Sequence, residues 1–313
     1  MPGIKCHAAL SGEPGMTKAA AESIRQRLLN LARERGENFD YVLRQYVIQR
    51  LLYRLSQTDY QKQFLLKGAQ LFWLWNKDFH RPTRDVDLLG FGDNDVQVLV
   101  RAFQEICSVK IADGLQFDTG NIEGLEIKED DMYQGVRITG FAELARARIP
   151  FQVDIGFGDI VTPEPEVASM PSFLDMPEAE IRVYPVYTVL AEKFQAMVYL
   201  GLANSRMKDF YDVWFIASGM DLDGTLLAEA IKATFARRDT SVTTAPLEIF
   251  EEAFAGDKSK NAQWNAFINK NALTNELTFA NMIQKLKIFL EPIYQSIALE
   301  QPFKQKWSAQ HWQ

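Results

Sequence analysis

Asp85 and Asp87 lie two residues apart in an apolar run with Val86, Leu88 and Leu89. An ionised carboxylate is costly in such surroundings unless a cation compensates it. Strand side chains alternate between faces, so residues i and i+2 point the same way, and this pair could grip one hard cation through oxygen. Shortly upstream, Phe64-Leu65-Leu66 predicts a short buried strand, Lys67-Gly68-Ala69 a turn, and Gln70–Asn76 a helix carrying Leu71, Phe72, Leu74 and Trp75. Gly68 permits positive φ and close approach of backbone to phosphate, and the helix start after it would present N–H groups. The chain must therefore build a sheet in which a glycine turn neighbours an acidic strand, which points to Mg²⁺-assisted nucleotide chemistry. Each part has a plainer reading: an ion pair of the aspartates with Arg81 or Arg84, a simple strand-to-helix turn at Gly68, and a solvated strand-end lysine at Lys67.

A bare Asp-x-Asp pattern is weak by itself, and the chain holds two more. Asp93-Asn94-Asp95 follows Gly90-Phe91-Gly92 and reads as a helix cap, whereas Asp221-Leu222-Asp223 precedes Gly224 and reads as a turn. Two-metal transfer of phosphoryl or nucleotidyl groups usually recruits a third carboxylate. The candidate is Asp154 in Phe151-Gln-Val-Asp154-Ile-Gly-Phe-Gly, a predicted strand, with Asp159 as a competitor in the loop after the glycines. The metal set expected from the residues is thus Asp85, Asp87 and Asp154, taking Mg²⁺ or Mn²⁺.

The 313 residues allow two packed domains or one elaborate one. A proline cluster at Pro163, Pro165, Pro171, Pro177 and Pro185 predicts a linker or wrapping loop over 162–186, with helices dominating afterwards. The expected organisation is a helical cap over 1–60, an α/β core over 61–170 and a C-terminal helical domain over 171–313. The expected helices are Thr17–Gly36, a second one from Asp40 as N-cap, Asn94–Cys107, Tyr187–Leu200, Met207–Ser218, Gly224–Arg238, Ala245–Phe254 and Asn275–Ser296. A hairpin is expected from Gln134–Leu144 and Ile149–Gly156, and Trp307 and Trp312 lie in a polar tail.

Two cysteines, Cys6 and Cys107, provide neither a disulfide framework nor a thiolate zinc cluster, and His7, His80 and His311 are too scattered for a histidine metal site. No apolar run approaches the roughly 20 residues a bilayer demands. Gly12, Glu13 and Lys18 interrupt any signal-peptide core, so a cytoplasmic location is expected. A net charge of −7 argues against non-specific coating of nucleic acid. An RNA partner would need a local patch, for which Arg81, Arg84, Arg146, Arg148, Lys193, Arg206 and Lys208 are available. Thr83 would bring a hydroxyl to the pocket, where an added phosphate should repel incoming triphosphate.

Taken together, four ordered motifs resemble the AbiEii/AbiGii-type nucleotidyltransferase toxins of the DNA polymerase β-like superfamily. They are Phe64-Leu-Leu-Lys67-Gly68, Arg81-Pro-Thr83-Arg84-Asp85-Val-Asp87-Leu, Val153-Asp154-Ile-Gly-Phe-Gly, and Val189-Leu-Ala-Glu192-Lys193-Phe with Ser205-Arg206-Met-Lys208-Asp209-Phe-Tyr-Asp212-Val. The resemblance implies an α+β fold: a polymerase β-like nucleotidyltransferase domain with a mixed sheet, a C-terminal helical domain, and an active site between them. It maps the family's paired aspartates onto Asp85 and Asp87, its lysine onto Lys193 and its later aspartate onto Asp209. A lysine suits the β/γ-phosphates or the developing negative charge, and Asp209 could orient it or bind an incoming hydroxyl. Arg206 and Lys208 could add phosphate contacts beside Lys67, Gly68, Ala69, Thr83 and Arg84. The same charged residues commonly form exposed helical ion pairs. The resemblance further implies transfer of NMP from an NTP to an acceptor such as the tRNA 3′ end, and a partner antitoxin. A protein or small-molecule acceptor, or a nucleotide-binding protein with weak catalysis, are the competing readings. Gly68-Ala69 departs from the Gly-Gly or Gly-Ser of relatives by removing a hydroxyl donor or a second flexible residue.

Overall fold

The computed structural model describes residues 18–76, 81–129, 133–273 and 277–313, so the readings at Cys6, His7 and His80 lie outside it. The first half comprises α1 (Lys18–Arg35), α2 (Phe39–Ser56), β1 (Phe64–Lys67), α3 (Gln70–Asn76), β2 (Val86–Gly90), α4 (Val96–Ser108), β3 (Leu115–Phe117), β4 (Glu123–Glu129), β5 (Tyr133–Leu144), β6 (Ala147–Phe157), β7 (Glu166–Met170) and β8 (Ala179–Val183). Then follow α5 (Val186–Leu200), α6 (Met207–Gly219), β9 (Leu222–Asp223), α7 (Gly224–Arg237), α8 (Glu252–Ala255), α9 (Lys258–Lys270), α10 (Phe279–Ala298), β10 (Lys306–Ser308) and β11 (His311–Trp312). The class is α+β, a mixed sheet followed by a helical half.

The main sheet runs β3-β5-β6-β2-β1-β8-β7, and β4 also pairs with β5. β2 lies parallel to β6 and antiparallel to β1, which places the acidic strand between the other two motif-bearing strands. The proline stretch is not a linker: β7 and β8 form an antiparallel hairpin, and β8 extends the sheet beside β1, past the expected boundary at residue 170. Its prolines are tolerated because all five stand outside the two strands, where no ladder N–H is lacking. Pro185 ends the sheet and starts α5 at its N-cap.

α2 packs against β6 and β8 and carries buried Val42, Tyr46, Val47 and Leu51 together with buried Gln45, Gln49, Arg50 and Arg54. Asn38, not Asp40, caps it by accepting from the Tyr41 N–H at 3.2 Å. Asp95 caps α4 as expected through the Gln97 and Val98 N–H groups. Asp223, expected in a turn, ends the short strand β9 and caps α7. Cys107 is buried on α4, and burial pushes its thiol up to about 12, the environment of a packing residue.

The helical half closes around an aromatic core in which Phe194 meets Phe235, Phe250 and Tyr294, and Phe210 meets Phe254 and Phe279. The helix expected over Ala245–Phe254 is broken into a single 3₁₀ turn and the four-residue α8. α9, absent from the expected helices, buries only Lys260, Trp264 and Ile268, too narrow an apolar stripe to stand out in sequence. The C-terminal tail docks: β10 pairs with β9 and β11, and the buried Trp307 donates its indole N–H to Ala217 O.

Candidate active site

Residues of three of the four motifs line an open cleft between the sheet and the helices, while Asp85 and Asp154 stand outside its lining. The sheet brings Lys67, Gly68, Ala69 and Asp87; α5 brings Glu192 and Lys193; the start of α6 brings Arg206, Lys208 and Asp209; the end of α7 brings Arg238. Six basic and four acidic side chains line it, so the cleft is locally positive on an acidic protein.

Gly68 turns the chain from β1 into α3 at φ +73°, and a Cβ there would collide with Asp87 Oδ2 and lie 2.6 Å from Asp87 Cγ. Only glycine allows the backbone to lie against that carboxylate. α3 has seven residues, so its dipole contributes little and the positive field of the cleft comes from its cationic side chains.

The segment before β2 is pinned from below. Gln45 Nε2 of α2 donates to Thr83 O at 2.6 Å, and Gln70 Nε2 of α3 donates to Asp85 O at 3.3 Å and Gln45 Oε1 at 3.2 Å. Thr83 is buried, and its hydroxyl donates to Asp85 Oδ1 at 2.9 Å. The hydroxyl is therefore spent on orienting Asp85 and is closed to solvent.

Register lines up four charges across adjacent strands. Lys67 pairs with Asp87, Asp87 with Asp154, and Asp154 with Arg137. Asp154 thus stands beside Asp87, as the sequence pattern expected. Unexpectedly, it accepts a bidentate pair from Arg137, Nε to Oδ1 and Nη2 to Oδ2, both at 2.8 Å. Asp159, the competitor, lines the cleft and bridges Lys67 Nζ (3.2 Å) and Arg238 Nη2 (2.9 Å).

In the helical wall, Lys193 Nζ lies 2.7 Å from Asp209 Oδ1 and 2.8 Å from Asp212 Oδ2. Arg206 reaches Asp209 at 2.7 Å, and Arg81 makes a bidentate pair with Asp212 at 2.7 and 2.9 Å. Burial opposes the charge on Lys193, yet Asp209 and Asp212 outweigh it and hold the ammonium above the usual lysine range. Burial likewise opposes ionised Asp209 and Asp159. Lys193 and Arg206 hold the first below the carboxylate range, and Lys67 and Arg238 hold the second there.

Of the proposed RNA contacts, Lys208 is exposed on the cleft lining, whereas Arg84 is exposed but outside it. Arg148 stacks on Phe141 at the far end of the β5–β6 hairpin, six residues from Asp154 and hence about 20 Å along the strand. Arg146 shares that remote turn. Sequence reasoning passed over Arg137 and Arg238. Arg137 alternates with buried Val136 and Ile138, a signal that it shares a face, though not with what; no pattern links Arg238 to Asp159.

Among the described residues, no three carboxylate, histidine or cysteine side chains gather closely enough to hold a metal ion by themselves. Asp85 and Asp87 still fit Mg²⁺, which is usually bound through one or two carboxylates with water and substrate phosphates completing its shell. No described helix is long and apolar enough to cross a membrane.

The profile of the family described as "Nucleotidyl transferase AbiEii toxin, Type IV TA system" matches residues 50–285. Among solved structures, JHP933 from Helicobacter pylori is 13% identical with a TM-score of 0.48, covering 83% of this chain and 94% of that one. A candidate nucleotidyltransferase from H. pylori is 12% identical with a TM-score of 0.48, covering 84% and 98%. No curated protein matches.

Proposed function

The chain belongs to the AbiEii nucleotidyl transferase toxin family of type IV toxin–antitoxin systems, and from that premise we propose that its cleft transfers a nucleoside monophosphate from an NTP to the tRNA 3′ end. The supporting observation is that Asp87 of the sheet and Lys193 of the helical half line one cleft, with Gly68 against the carboxylate. In this reading Asp85 and Asp87 would hold Mg²⁺ (or Mn²⁺), which would supply Lewis-acid polarisation of the phosphate and neutralise charge on the pyrophosphate. Thr83 orients Asp85, and Asp154 stands third in the acidic row.

Lys67, Arg206 and Lys208 surround the triphosphate, with Gly68 and Ala69 offering backbone, and Arg84 steers from outside. Lys193, held charged by Asp209 and Asp212, meets the negative charge that develops during transfer. Asp209 fixes its direction. A cognate antitoxin neutralises the activity in the cell.

Each α-³²P-labelled NTP, incubated with total tRNA and Mg²⁺, tests the reading. Label on tRNA with wild type and none with Asp87→Asn is the expected result. Label on polypeptide instead would redirect the acceptor to a protein hydroxyl, and transfer retained by the folded variant would refute the site.

A further inference from the structure

The charge row across the sheet has an arginine where a second cation would otherwise be needed. Lys67, Asp87, Asp154 and Arg137 are consecutive register partners on β1, β2, β6 and β5. Side chains at matched positions of neighbouring strands share a face, and strands stand about 4.8 Å apart. Two carboxylates at that spacing repel each other, and a cation is set at either end of the row.

Arg137 engages Asp154 with both arms at 2.8 Å, and Gln152 Nε2 lies 3.2 Å from each oxygen of the same carboxylate. Both oxygens of Asp154 are thus committed within the sheet. Asp85, by contrast, accepts a neutral hydroxyl, and Asp87 opens on the cleft against Gly68.

We propose that Arg137 is the resident counterion of the acidic row: it keeps Asp154 out of metal ligation, and the cleft binds one divalent ion per nucleotide, on Asp85 and Asp87. Arg137 is then a positioning residue. It sets the number of ions by occupying the third carboxylate, and its fork geometry matches both oxygens in a way a lysine could not. The inference rests on the nucleotide-binding reading of the cleft.

Mn²⁺ titration of the full chain with a saturating non-hydrolysable α,β-methylene NTP, followed by electron paramagnetic resonance, counts the bound ions. Wild type should hold one Mn²⁺ per complex and Arg137→Gln two, because Asp154 is released. The charge-balanced double variant Arg137→Gln/Asp154→Asn guards against misfolding of the single variant and should return to one ion, close to the wild-type affinity. Two ions in wild type, one ion in a folded Arg137→Gln, or a loss of about tenfold or more in Mn²⁺ affinity in the double variant would overturn the proposal. Asp87→Asn separates the two levels: if it leaves Mn²⁺ binding intact, the functional reading itself fails, whatever Arg137 does.

Discussion

At position 68 the backbone adopts φ +73° against the Asp87 carboxylate, so a substitution meets both backbone strain and a collision. Strain of this kind costs about 1–3 kcal/mol, and Asp87 would be pushed aside as well. Gly68→Val should therefore lower stability by at least about 1 kcal/mol in urea unfolding and abolish transfer in the labelling assay. Asp159 and Asp209 have a second measurable consequence. Both titrate below the ordinary aspartate range when folded, so the unfolded chain binds more protons than the folded one as acid is added. Their contribution is complete above the unfolded value of about 3.9 and is lost as pH falls through the folded values. Urea midpoints should drop steeply below about pH 4, and the gap between wild type and Asp209→Asn should narrow over the same window.

Among the elements, α2 shows how a helix can be recognised without its partners. Its apolar spacing was legible, but nothing in the sequence linked Arg50 and Arg54 to Asp113, on which both are buried. Asp113 also accepts from the Leu115 N–H at 3.1 Å and lends its carbonyl to Tyr46 Oη at 2.7 Å, tying the helix to the start of β3. Asp113→Ala strips two buried guanidiniums of their shared counterion, and equilibrium unfolding should report a loss of about 3–5 kcal/mol. The β7–β8 hairpin was hidden for a different reason. Five prolines in 162–186 argue for a loop unless each falls outside the ladder, and that is decided only once β8 lies beside β1.

Across the whole molecule, ion pairs hold the sheet and the helical half together around the cleft: Arg81 to Asp212, Lys67 to Glu192, and Arg238 to Asp159. These side chains are largely buried, so their coupling should survive salt better than surface pairs do. A double-mutant cycle on Asp159 and Arg238 should give a coupling of about 0.5–3 kcal/mol in urea unfolding, and a value near zero would mean that α7 does not brace the cleft. The sequence alone determined the strand–turn–helix at Lys67–Asn76, the acidic strand at Asp85–Leu89, the hairpin around residue 145 and the order of the motifs, because apolar periodicity and glycine conformation are local properties. Tertiary structure decided that Arg137 takes both oxygens of Asp154, that Asp159 meets Lys67 and Arg238, and that Lys193 is shared by Asp209 and Asp212. Those partnerships depend on strand register and helix docking between residues far apart in the chain, and charge compensation in a low-dielectric cleft follows distance in space.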